Sequence, residues 1–178
     1  MFRTNRNILI AMKKIGIFYG STTGVTENVA DIIARKLEIP QADVHDVANI
    51  SAEQVAPYTL LILGSSTWGA GELQDDWYNA VEVLKKCDLS SKEIALFGCG
   101  DSESYCDTFC DAIGILRNEL KGCGAEFKGD RVDVSGYTFS SSLAVTEEGY
   151  FAGLPLDEVN EPDKTETRIE NWLKEIIS

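Results

Sequence analysis

A doubly wound α/β sheet is the fold class this sequence predicts, on three observations. Short apolar runs of strand length alternate with amphipathic helical stripes along the chain. One run, residues 59–64, is apolar almost without a break, as expected of a strand covered on both faces of a parallel sheet. No internal repeat or low-complexity tract interrupts the alternation.

The elements follow in order. Residues 14–19, with Ile15, Ile17 and Phe18, read as the first strand, and Val29, Ile32, Ile33 and Leu37 then recur at helical spacing. Pro40 ends that helix, residues 44–47 read as a short second strand, and Ser51 is placed to cap a brief helical turn. The third strand, 59–64, precedes a helical stripe of Trp77, Ala80, Val81 and Leu84. A fourth strand at 94–97 precedes a second stripe, Phe109, Ala112, Ile113, Leu116 and Leu120. From 136 to 154 the pattern lapses into Ser, Thr, Gly and aromatics, with 136–139 and 149–151 reading as short hairpin pieces. A closing helix over 165–177 sets Ile169, Trp172, Leu173, Ile176 and Ile177 on one core-facing side.

At 178 residues the chain suits one domain with a sizeable core. Sixteen Lys+Arg against 29 Asp+Glu give a net charge of −13, which disfavours nucleic acid and anionic membrane as partners and favours a basic protein surface. Five cysteines, an odd number without a CxxC pair, fit a reducing, cytoplasmic setting, and a single histidine, His45, leaves no metal constellation. Cys106 and Cys110 are spaced as small helix-packing residues. Residues 1–13 read as a disordered N-terminal extension, with Met12 as an alternative start, and 14–177 as the domain. The apolar run from Ile8 to Met12 is too short for a secretory core or a membrane span. No exposed apolar stripe is evident, so a monomer is expected.

The chemistry concentrates after the first strand, in Gly20-Ser21-Thr22-Thr23-Gly24-Val25-Thr26. Hydroxyls at a helix N-terminus, with its free N–H groups and positive dipole end, make an anion site. The spacing is neither that of a nucleotide P-loop nor of a GxGxxG turn. With no Lys or Arg in the loop, an anchored phosphate fits better than a transferred one. Taken alone, the same residues also describe a capped helix with no ligand.

In a doubly wound sheet, ligands sit beyond the carboxyl ends of the strands. The loops after the first, third and fourth strands all leave that rim. They carry the hydroxyl turn, Trp68 among small residues, and Tyr105 near Gly100-Asp101. Two aromatics above an anion cradle describe a slot for a flat phosphorylated ring.

These motifs resemble the flavodoxins, FMN-binding electron carriers, and the likeness covers nearly everything from Met12 onward. Residues 20–26 are similar to that family's phosphate loop, 66–74 to its tryptophan loop, and 98–101 with Tyr105 to its tyrosine loop. The lapse at 136–154 resembles the insertion that splits the fifth strand in the long-chain subgroup. The resemblance implies a five-stranded parallel sheet in the order 2-1-3-4-5, with helices on both faces and an insertion in the last strand.

It also implies that Ser21, Thr22, Thr23, Gly24, Val25 and Thr26 wrap the FMN phosphate. Thr67 and Trp68 would flank the ring on one side and Tyr105 on the other, backbone around Gly69, Cys99, Gly100 and Asp101 would meet its polar edge, and Ser66, Gly71 and Cys106 would complete the cofactor-binding set. The peptide after Gly69 lies where the family's backbone rotates toward the flavin. Val25 stands where members often have Lys, and Ser102 where many have Gln. The implied function is a low-potential carrier shuttling one electron between semiquinone and hydroquinone for a basic-faced reductase or oxidoreductase. Glu72, Asp75, Asp76, Asp101, Glu103 and Asp107 lie on the same two loops. One carboxylate about 8 Å from an anionic flavin opposes it by roughly 2 kcal/mol at an effective dielectric of 20. Three readings stand as alternatives: an FMN-dependent NAD(P)H:quinone reductase of the same fold, a phosphorelay receiver, and a flavin-free binding module.

Overall fold

The computed structural model describes residues 13–178; the expected disordered extension therefore falls, except for Lys13, outside the described residues. The Lys13 ammonium pairs with Glu93 at 2.7 Å.

The central sheet contains β1 (Ile15–Gly20), β2 (Val44–Asp46), β3 (Leu60–Trp68), β5 (Glu93–Cys99) and a divided last position, β6 (Glu126–Lys128) and β9 (Leu154–Leu156). Their order is β2-β1-β3-β5-β6, all parallel, and β9 pairs the far half of β5. Counting the divided strand once, this is the order 2-1-3-4-5. A short β4 (Glu72–Leu73) returns antiparallel along the end of β3.

The unbroken apolar run in β3 reflects burial on both faces. Leu61 and Leu63 join the core under α3 (Asp76–Lys86) and α4 (Asp111–Leu120), whose Trp77, Leu84, Ile113 and Leu116 are buried. Leu60 and Ile62 join the opposite core, under α1 (Val25–Leu37) and α5 (Thr165–Ile176), with Val29, Ile33, Trp172 and Leu173. Ser51 caps the short α2 (Ala52–Val55) in a reciprocal capping box with Gln54.

The chain leaves the sheet after Lys128, earlier than the lapse in pattern at 136. Gly129 makes the turn at φ +63, and a Cβ there would lie 2.3 Å from Trp172 Nε1. In the excursion, β7 (Val132–Asp133) pairs antiparallel with β8 (Tyr150–Phe151). The expected hairpin piece at 136–139 is not a strand. Val134–Gly136 is a 3-10 turn, and Tyr137 and Phe139 turn their rings onto Phe151, each at 5.1 Å between centroids. Alternate residues packing rings inward produce the period of a strand without a ladder.

Among the described residues no helix is long and apolar enough to cross a membrane.

Candidate functional site

Three loops converge beyond the carboxyl ends of β1, β3 and β5. In the first, the Ser21 hydroxyl accepts from the Gly24 N–H at 3.1 Å, and Gly24 takes φ +87 to start α1. Among the described residues no side chain caps this helix. The N–H groups of Thr22, Thr23, Val25 and Thr26 have no acceptor among the described residues. Among the described residues the buried Thr26 hydroxyl also has no oxygen or nitrogen partner. Beside it lies the Cys99 thiol, which is a weak partner. Unpaired donors at a helix start, with a buried hydroxyl left over, are what an anion would satisfy.

Gly20 allows the loop to close on its neighbours, since a Cβ there would lie 2.3 Å from Gln74 Oε1 and 2.6 Å from Trp77. Gln74 is buried, and its amide reaches Thr22 Oγ1 at 3.4 Å and Asp76 at 2.7 Å. It therefore ties the hydroxyl loop to the tryptophan loop, a role that no local motif in the sequence announces.

The second loop is a tight reversal. Trp68 pairs with Glu72 across β3 and β4, and the Gly71 N–H donates to the Trp68 carbonyl at 3.0 Å. Gly69 (φ +51) and Gly71 (φ +105) supply the left-handed backbone. The Trp68 indole donates to Ser66 Oγ at 2.8 Å, and the residue stays 41% exposed.

The third loop is held by carboxylates. Asp101 Oδ1 accepts from the N–H of Ser104 (2.8 Å) and Glu103 (3.1 Å) and from Asn160 (2.9 Å). The Ser104 bond, then the Asn160 bond, hold its carboxyl below the ordinary aspartate value. Tyr105 projects from this loop, 56% exposed.

Between the loops lies a cleft of about 200 Å³. Of the expected site residues, Thr23, Val25, Ser66, Thr67, Trp68, Gly69, Cys99, Gly100, Asp101 and Tyr105 line it. Ser21, Thr22, Gly24 and Thr26 belong to the adjoining hydroxyl loop and are not in its walls. Gly71 faces Asp111 and Thr108. Cys106 turns its carbonyl to the N–H groups of Ser140 and Ser141 in the insertion. Thr108 is an unanticipated wall residue; its approach to Gly71 depends on tertiary packing, so nothing in its neighbourhood signals it. The cleft is smaller than the roughly 300–1,000 Å³ of a site that encloses a whole ligand. It suits a ring gripped on its faces with one edge in solvent. A broader depression of about 730 Å³ lies at the opposite end of the sheet, where Lys13, Lys92, Glu93 and Glu126 line it.

Glu72, Asp75, Glu103 and Asp107 are exposed around the cleft, with Asp76 and Asp101 half-buried. Among the described residues none of the six forms an ion pair, so the rim is uncompensated negative charge.

Comparison with known proteins gives the family of the chain. The family model described as Flavodoxin matches residues 17–172. The chain belongs to the flavodoxin family. The flavodoxin of Klebsiella pneumoniae is 42% identical over 165 residues, 93% of each chain. Flavodoxin 1 of Escherichia coli K12 is 43% identical over 161 residues, 90% of this chain and 91% of that one. Among solved structures, Fusobacterium nucleatum flavodoxin bound to flavin mononucleotide superposes with a TM-score of 0.83 at 31% identity, covering 92% of this chain and 96% of that one.

Proposed function

We propose that this flavodoxin is an FMN-dependent one-electron carrier of the long-chain type and that it does not turn over a substrate of its own. The observation that carries the reading is the cleft between exposed Trp68 and Tyr105, opening beside a helix N-terminus with free amides and the orphaned Thr26 hydroxyl. These residues fit the group: neutral donors for a phosphate, two aromatic faces for a flat ring, and backbone at Gly69, Cys99, Gly100 and Asp101 for its polar edge. When bound, FMN supplies the one-electron chemistry.

The chain's own contributions follow from position. Residues 21–26 bind the phosphate through N–H and hydroxyl groups and add no cation. Trp68 and Tyr105 orient the ring and exclude water from its faces. Gly69, already at φ +51, gives the adjoining peptide the freedom to change which group it presents. The uncompensated carboxylates raise the free energy of an anionic, fully reduced flavin and so favour a strongly reducing carrier.

The same charge supports a basic-faced reductase or oxidoreductase as partner, steered toward the exposed cleft. The protein works as a monomer in the cytoplasm, a setting in keeping with its five free cysteines. The quinone-reductase reading needs a second substrate pocket beside the ring, and the described residues provide no catalytic constellation for one.

The test is direct. The purified protein is yellow, and the apoprotein quenches FMN fluorescence at one equivalent. Trp68→Ala and Tyr105→Ala each weaken binding by about tenfold, given roughly 0.5–1.5 kcal/mol per ring contact beyond area burial. A colourless protein that leaves FMN fluorescence unchanged overturns the proposal. Turnover of NAD(P)H with a quinone, in the absence of any reductase, would install the rival.

A further inference from the structure

Directly behind the tyrosine loop lies a carboxylate that belongs to none of the three loops. Asp157, immediately after β9, is fully buried. Its Oδ2 accepts from the Ser102 N–H at 2.9 Å and the Ser102 hydroxyl at 2.5 Å. Its Oδ1 accepts from the N–H groups of Val159 (3.1 Å) and Asn160 (2.9 Å). The Asn160 amide donates to both Asp157 oxygens and also to Asp101 Oδ1 at 2.9 Å, so one side chain bridges a buried carboxylate and a cleft-lining one.

Every one of these donors is neutral, and among the described residues Asp157 has no cationic partner. Burial opposes its ionisation, yet the bonds from Ser102 and Asn160 outweigh that and hold the carboxyl below its ordinary value. Asp157 is therefore a charged group at neutral pH whose charge is stabilised but not cancelled. It also lies one residue from the cleft wall: Leu156, which precedes it, accepts at its carbonyl from the N–H of cleft-lining Gly100 at 2.9 Å.

We propose that Asp157 is a positioning residue that fixes the tyrosine loop through Ser102 and Asn160 and presents a permanent negative charge to the cofactor cleft. Because it is out of solvent, mobile ions screen it far less than they screen the exposed rim. The rim carboxylates and Asp157 thus oppose an anionic flavin in two separable ways, one salt-sensitive and one salt-insensitive. Ser102 is the partner that makes the loop bond, through both its N–H and its hydroxyl. The charge effect rests on the FMN reading above, whereas the loop-fixing effect is a property of the apoprotein.

The experiment uses the full chain. Asp157→Asn keeps the volume and one acceptor and removes the charge. In the FMN-loaded protein it raises the midpoint potential of the last electron by the same shift at low and at high salt. Glu103→Gln, on the exposed rim, gives a shift that fades as salt rises. An unchanged potential for Asp157→Asn, or a shift that fades like that of Glu103→Gln, overturns the charge role. Should Asp157→Asn fail to fold or to hold FMN, Ser102→Ala carries the test. It deletes the hydroxyl bond and keeps the charge, so amide exchange at positions 102 and 104 in the apoprotein speeds by about tenfold or more while the potential stays near the parent's. Exchange at the parent's rate overturns the positioning role. A parent chain that never binds FMN defeats the functional reading instead, and the apoprotein exchange still decides what Asp157 does to the loop.

Discussion

The Leu143 N–H donates to the Asp111 carboxylate at 2.6 Å, which pins the exposed tip of the insertion to the first turn of α4. The other Asp111 oxygen sits under Gly71 of the tryptophan loop, where an added Cβ would come within 2.6 Å of it. One buried carboxylate therefore touches both the insertion and the loop that flanks the cleft.

Burial raises the Asp111 carboxyl above its ordinary value, against opposing bonds from Leu143 and Ser142. For a group whose folded value is raised, the stability contribution is complete below the unfolded value, near 3.9, and is lost as pH rises through the folded value. Asp111→Asn keeps an acceptor for Leu143 and abolishes the charge. It is expected to be more stable than the parent at pH 7, with the advantage shrinking as pH falls toward 4. Urea midpoints across that range check this, and a pH-independent difference would count against it.

Gly20→Ala drives a methyl into Gln74 and Trp77. Trp77 is fully buried and donates to the Gly64 carbonyl at 2.8 Å, so it has little room to yield. The expected loss is about 1–3 kcal/mol in unfolding free energy, together with weaker FMN binding as Gln74 is pushed off Thr22. Denaturation of the apoprotein and a flavin titration report the two effects separately.

Thr26→Val replaces an orphaned buried hydroxyl with a methyl of the same shape. A buried donor without a partner costs about 1–3 kcal/mol. The apoprotein should therefore be as stable as the parent or more so, while FMN affinity drops by about tenfold. Loss of stability in the apoprotein would mean that the Cys99 thiol already satisfies the hydroxyl there.

Val25 is the cleft-lining residue nearest the helix start and is 38% exposed. Val25→Lys adds the cation that the phosphate cradle lacks. An exposed ion pair is worth up to about 1 kcal/mol, so FMN should bind roughly fivefold tighter at low ionic strength. The gain should vanish toward 1 M salt, where the screening length falls to about 3 Å. Isothermal titration at two salt concentrations measures it.

Much of the fold was legible because its causes are local. Apolar periodicity located the main strands and the longer helices, Pro40 and Ser51 punctuated them, and the hydroxyl run marked a helix start. Trp68 and Tyr105 were recognisable as a pair because parallel α/β winding sends alternate loops to a common rim. The insertion misled at 136–139, where Tyr137 and Phe139 alternate like a strand but are organised by Phe109 and Phe151, residues distant in the chain.

By itself, the sequence determined the winding, the three loops and the acidic charge, since each depends on residue type and spacing. Only the tertiary structure decided which groups support those loops. Gln74 on Thr22, Asp111 under Gly71, and Asp157 behind Ser102 are contacts between segments up to 55 residues apart. A carboxylate or amide in such a place looks like any surface polar residue until packing removes its water. Burial then obliges it to find partners, and the partners it finds fix the loops that make the cleft.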